Sequence, residues 1–171
     1  VLPDRGDGEL WRLSRLRWLN STIGLDDKVF PPFSPITHEN RTVSILGRTL
    51  RFSHSGLPES IAGTFSRNVD SVDADARELL AAPMRFVVKP AGQSKVDFQF
   101  GDVEILAKST GAITWRSVGQ RGAMTLRCQA KMECDGYVNY SLTLGTSVPV
   151  DLEDLKLEIP YRRDVARLMM G

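Results

Sequence analysis

The sequence has little of what most soluble enzymes use to hold a metal or attack a bond. It carries two histidines and two cysteines in 171 residues, with no Cys-x-x-Cys or His-x-x-x-His spacing. A zinc or copper site needs three or four such ligands converging, so no metal centre is expected. The acidic pairs Asp26-Asp27 and Glu153-Asp154 lack the loop spacing of an EF-hand and read as solvated turn carboxylates. No Gly-x-Ser-x-Gly elbow and no phosphate-cradling glycine loop occurs, so neither a serine nucleophile nor a nucleotide cofactor is expected.

Excess charge of one sign is missing too. Lys and Arg number 22 against 21 Asp and Glu, a net charge of +1. That removes the electrostatic case for nucleic acid or an anionic membrane surface. No apolar run approaches the ~20 residues of a bilayer span. The length suits one domain with a real core. The chain opens on Val1 with a polar lead-in over residues 1–9 and shows no secretory leader. The expectation is that a leader was removed or that the natural gene begins further upstream.

The cysteines say little about compartment. Cys128 and Cys134 fall in one predicted strand and its turn, roughly 20 Å apart at ~3.3 Å per residue. A disulfide needs Cα atoms within ~7 Å, so they should not pair within the chain. Cys128 reads as a core residue and Cys134 as an exposed turn residue. Three N-glycosylation acceptor patterns begin at Asn20, Asn40 and Asn139. They lean the reading towards a secreted or extracytoplasmic protein.

What the sequence does have is period-two patterning. From about residue 42 onward, apolar and polar residues alternate between turn signals, as antiparallel hairpins require. In the clearest case Met124, Leu126, Cys128, Ala130 and Met132 alternate with polar residues, and Val138, Tyr140, Leu142 and Leu144 do so on the return. A two-residue Asp135-Gly136 loop would set Met132 opposite Asn139 and mismatch every pair. A three-residue loop, Cys134-Asp135-Gly136, pairs Met132 with Val138, Ala130 with Tyr140 and Cys128 with Leu142. It also puts Gly136 at the left-handed position of the turn, which glycine occupies without steric cost.

Similar arithmetic expects a two-residue Gly47-Arg48 turn bringing Val43 and Ile45 to face Leu50 and Phe52. A Gly101-Asp102 turn would bring Phe98 and Phe100 to face Ile105 and Val103. Further strands are expected at Ser60–Ser66, Met84–Lys89, Ala112–Val118 and Leu155–Ile159, with a short helical turn through Asp75–Leu80. Residues Trp11 to Leu19 fit neither period and read as strand or short helix. The proline-rich stretch Val29 to Pro35 is expected to run extended along the surface. The fold class is therefore all-β: a two-sheet antiparallel sandwich with an irregular N-terminal segment, spanning residues 10–160.

Residues 161–171 leave the β pattern. Leu168, Met169 and Met170 close the chain with apolar groups that gain stability by leaving water. They read as a linker towards a downstream domain, with Arg162 and Arg163 beside it as interdomain contacts.

Carbohydrate chemistry is the remaining class. Carboxylate pairs for glycosidic cleavage must be held ~5–9.5 Å apart across a cleft. Asp102 with Glu104 and Glu133 with Asp135 lie instead at predicted hairpin tips, where acids serve turns and solubility. Sugar binding without cleavage needs exposed aromatic rings beside polar groups. Tyr137, Trp18 and Trp11 are the candidate contacts, whereas Trp115 shares a strand face with Ile113 and reads as core. Trp11 and Trp18, with Arg15 and Arg17 between them, suit a domain–domain interface equally well.

Several stretches together resemble the N-terminal domain of glycoside hydrolase family 123-like proteins. They are Arg15 to Asp27 (Arg-Leu-Arg-Trp-Leu-Asn-Ser-Thr-Ile-Gly-Leu-Asp-Asp), Leu46-Gly47-Arg48, Gly56-Leu57-Pro58, Met132 to Val138, Leu157 to Arg163 and Met169-Met170-Gly171. The resemblance implies a supersandwich-like domain ahead of a catalytic (β/α) barrel, the partner domain in the same chain. It further implies substrate-assisted hydrolysis of β-N-acetylgalactosaminides, helped by an Asp-Glu pair in that barrel. This sequence contains no Asp-Glu dipeptide, so no catalytic residue transfers to it and none is expected within the chain. The reading is a non-catalytic domain of a glycosidase, with a stand-alone carbohydrate-binding or structural extracellular module as the alternative.

Overall fold

The computed structural model describes residues 25–66, 68 and 70–167. Every regular element in that range is a strand, and every pairing is antiparallel. The first sheet is a five-stranded meander: β1 (Thr37–Glu39), β2 (Thr42–Ile45), β3 (Arg48–Phe52), β4 (Pro58–Phe65) and β5 (Val72–Glu78). The second contains β7 (Gln99–Phe100), β8 (Glu104–Lys108), β9 (Ala112–Arg121), β10 (Met124–Glu133) and β11 (Val138–Thr146). A small third sheet pairs β6 (Arg85–Pro90) with β12 (Leu152–Glu158).

The strand faces explain the stacking. Val43, Ile45, Leu50 and Phe52 from the first sheet meet Ile113, Trp115, Ala130 and Met132 from the second in one buried cluster. Phe52 stacks on Trp115 at 4.9 Å between ring centroids, and Tyr140 meets the same indole edge-on at 6.1 Å. Such pairs add to the burial of large apolar area that drives the layers together. The small sheet is tied to the first at its start, where the N–H of Met84, just before β6, donates to the Pro58 carbonyl at 2.8 Å. Beneath it Leu57, Leu80, Met84 and Cys128 form a second cluster, with Phe86, Tyr140 and Leu142 packed against it.

The β10–β11 hairpin has the register that parity demands: Met132 opposite Val138, Ala130 opposite Tyr140, Cys128 opposite Leu142. Glu133 N–H donates to the Tyr137 carbonyl, closing the three-residue loop, and Gly136 has φ +93°. Cys134, expected to be exposed, is buried instead. Its N–H donates to the Gly111 carbonyl, which draws the turn into the end of the main core. Both cysteines are free thiols.

Four other expectations need correction. The β2–β3 turn is Leu46-Gly47, not Gly47-Arg48, because Ile45 pairs with Arg48 and Val43 with Leu50. The slip is two positions in pairing, so the same side chains stay inward. The expected hairpin at Gly101-Asp102 does not form: β7 and β8 both pair with β9, one after the other along its edge. Phe100 pairs with Gly119 instead, where a Cβ would stand 2.5 Å from its ring. The missing side chain gives that ring its seat, and the chain continues straight. The expected helical turn at Asp75–Leu80 is largely strand β5, an edge strand whose exposed faces leave its sequence without a period. Finally, Pro31-Pro32 makes a tight turn, not an extended run, and Phe30 and Phe33 pack edge to face at 5.2 Å against the core.

Candidate functional site

The β3–β4 connection, Ser53 to Leu57, is tied by hydrogen bonds within itself and to the second sheet. Ser53 N–H donates to the Leu57 carbonyl at 2.9 Å and Gly56 N–H to the Ser53 carbonyl at 3.0 Å. The Ser53 and Ser55 hydroxyls bond each other at 2.7 Å, and the Ser55 oxygen also accepts the Leu57 N–H. From the second sheet, the buried Ser117 hydroxyl donates to the His54 carbonyl and Trp115 Nε1–H to the Gly56 carbonyl at 2.8 Å. These bonds satisfy backbone groups that burial would otherwise leave unpaired. Gly56 has φ +80°, and a Cβ there would come within 3.1 Å of the Cys128 sulfur. Only glycine fits so close to β10 in that conformation.

This loop holds His54 outward at the rim of a cleft between the two layers. The cleft has a volume of about 340 Å³. Its floor is apolar, formed by Leu57, Met84, Leu126, Cys128 and Leu142. Phe86, Val96, Phe98 and Phe100 line it as well. The Phe98 and Phe100 rings, both half-buried, stand 6.2 Å apart with a 47° tilt. The rim is polar: Ser55, His54, Arg85 and Asp97. His54 Nδ1 lies 3.9 Å from an Asp102 carboxylate oxygen, and Arg85 bonds Glu158 at 2.8 Å.

Burial pushes the Cys128 thiol on the cleft floor up to about 12, so it stays protonated and poorly nucleophilic at neutral pH. The Tyr140 hydroxyl is likewise raised, first by burial and then by its proximity to Cys128. Among the described residues no three His, Cys, Asp or Glu side chains converge as a metal site would need. Of the acids weighed as catalytic pairs, Asp102 lies beside His54 at the cleft rim and the other three are engaged elsewhere. Glu104 pairs with Arg116 at 2.7 Å, Glu133 with Lys131 at 3.4 Å, and Asp135 accepts the Tyr137 N–H at 2.8 Å.

Of the contacts expected from sequence, Tyr137 is exposed beside the Cys134–Gly136 turn. It sits five residues along β11 from Leu142, about 17 Å at ~3.4 Å per residue, so it does not join the cleft. Arg162 and Arg163 are exposed beyond β12; Arg162 Nε pairs with Asp164 at 3.1 Å, and its N–H donates to the Leu79 carbonyl. Trp11, Trp18, Arg15, Arg17, Met169 and Met170 lie outside the described residues, as does Asn20. Asn40 and Asn139 are both exposed, the first in the β1–β2 turn and the second on β11. Sequence reading passed over the cleft because its residues come from distant segments. The only signal was the pair Phe98 and Phe100 at period two, which reads as ordinary core.

The family described as glycoside hydrolase 123, third domain, matches residues 36–171. No curated protein and no solved structure matches the chain significantly. The matched span runs from just before β1 to the end of the chain, so it includes both sheets, the cleft and β12. The chain belongs to the glycoside hydrolase 123 third-domain family.

Proposed function

We propose that this chain is a non-catalytic β-sandwich domain that supports the catalytic barrel of a glycoside hydrolase and contributes a carbohydrate contact to it. The family match supports the association with a glycoside hydrolase; it describes a third domain, not an N-terminal one, and the order ahead of the barrel rests on the resemblance in sequence alone. An extracytoplasmic location belongs to the same reading and agrees with the exposure of Asn40 and Asn139.

The observation that carries the supporting role is a row of side chains on β12 and just past it. Leu155, Leu157, Ile159 and Tyr161 are alternate residues, 49%, 42%, 41% and 53% exposed. The two intervening residues on the strand are charged and engaged, Lys156 with Asp154 at 2.9 Å and Glu158 with Arg85 at 2.8 Å and Lys95 at 3.6 Å, while Pro160 separates Ile159 from Tyr161. A strand with one charged, paired face and one bare apolar face is built to be covered. Contacts between domains of one chain use patches of this kind.

The test is thermal unfolding of the domain alone and joined to the rest of its parent. The joined form should melt at least about 4 °C higher, the effect of one or two kcal/mol at this size. A Leu155→Lys/Leu157→Lys variant should leave the isolated domain nearly unchanged, because both residues are exposed, and should abolish the gain. An equal melting temperature in the joined form would overturn the supporting role.

A further inference from the structure

We propose that the cleft beside His54 is a binding subsite for a neutral sugar ring, an inference that rests on the carbohydrate-contact reading above. Three observations select this ligand class. The first is the aromatic lining: Phe98 and Phe100 present half-buried rings over an apolar floor, the surface on which a pyranose lays its C–H face. The second is the rim, which mixes acceptors with donors. The Asp97 carboxylate and Ser55 hydroxyl accept, while the Arg85 guanidinium and His54 imidazole donate. A hydroxyl both donates and accepts, so a ring of vicinal hydroxyls matches a mixed rim. An anionic ligand would face Asp97 and the nearby Asp102, and a purely apolar one would strip water from charged groups without repayment.

The third observation is pre-formation. A space of about 340 Å³ lies within the range of small-ligand sites and at its lower end. The loop bearing His54 is fixed by its own hydrogen bonds and by Trp115 and Ser117. Little ordering is then left for the ligand to impose, so binding loses little to it even with few contacts. The cleft would grip one residue of a longer chain and leave the chemistry to the barrel.

Titration of the isotopically labelled chain with cello-, chito- and galacto-oligosaccharides, followed by amide NMR shifts, tests this. At least one sugar should shift amides of residues 53–57, 84–86 and 96–100 at millimolar Kd. The rim variant Asp97→Ala, at an exposed position, should bind roughly tenfold more weakly with an unchanged melting temperature. Phe98→Ala should bind more weakly as well, with its own spectrum serving as the folding control. No shifts with any sugar at ~10 mM would overturn the inference, as would shifts confined to Tyr137. A response to a short-chain fatty acid at these residues, with none to sugars, would overturn it in favour of an apolar ligand. None of these outcomes changes the melting-temperature gain on joining the parent, so the supporting role stands or falls separately.

Discussion

Trp115 and Gly56, separated by 59 positions in sequence, are joined by a 2.8 Å hydrogen bond from the indole N–H to the glycine carbonyl. The bond runs from the centre of one sheet to the loop that rims the cleft. It couples the main core to the candidate site.

Replacing Trp115 with Phe should therefore do more than shrink a side chain. The Gly56 carbonyl loses its partner in a buried setting, a cost of about 1–3 kcal/mol, and the smaller ring leaves part of the indole's volume empty. The midpoint of urea unfolding should fall while the slope stays constant. An unchanged midpoint would mean that water or another donor replaces the indole.

Two glycines separate backbone strain from crowding. Gly56 and Gly92 have φ +80° and +69°, but only Gly56 has neighbours where a Cβ would sit. Gly92→Ala should cost about 1–2 kcal/mol from conformation alone. Gly56→Ala should cost more, because its methyl group meets Cys128 and Trp115, and the excess reports how firmly the loop is seated. Equal losses in the two variants would show that the loop yields.

Glu78 provides a pH handle. Burial works against its charge, but the Ser60 hydroxyl at 2.6 Å and the Ile61 and Leu80 amides donate to it and hold its carboxyl below the usual range. A carboxylate with a lowered folded-state pKa contributes stability that is present above its unfolded value and lost as pH falls through the folded one. Stability of the wild type should thus drop between neutral pH and the acid side of the normal glutamate range. Glu78→Gln should be less stable at neutral pH and show a shallower drop there, as read from melting temperature against pH. Parallel curves for the two proteins would remove Glu78 from this role.

The sequence carried the β10–β11 hairpin because one of its faces is apolar and only one loop length keeps that face whole. The β2–β3 turn slipped by two for the same reason in reverse: both registers bury Val43, Ile45, Leu50 and Phe52, so alternation cannot choose between them. The partner of Phe100 was out of reach, because a strand's period names the face of a residue and not the strand beside it. Phe100 pairs with Gly119, which has no side chain to signal the contact. The cleft was still further from view. Its floor reads as core from any single strand, and its polar rim comes from loops with no shared pattern.

The broken edge at β7 and β8 has a consequence for how this domain keeps company. Pairing with β9 lapses after Gly101, whose N–H reaches Val118 at 3.4 Å, and shifts again between Ile105 and Ala107. An open sheet edge recruits a stranger only by offering an unbroken run of amides and carbonyls in step. This margin falls out of step twice within ten residues, so copies meeting there find no track along which a fibre can grow.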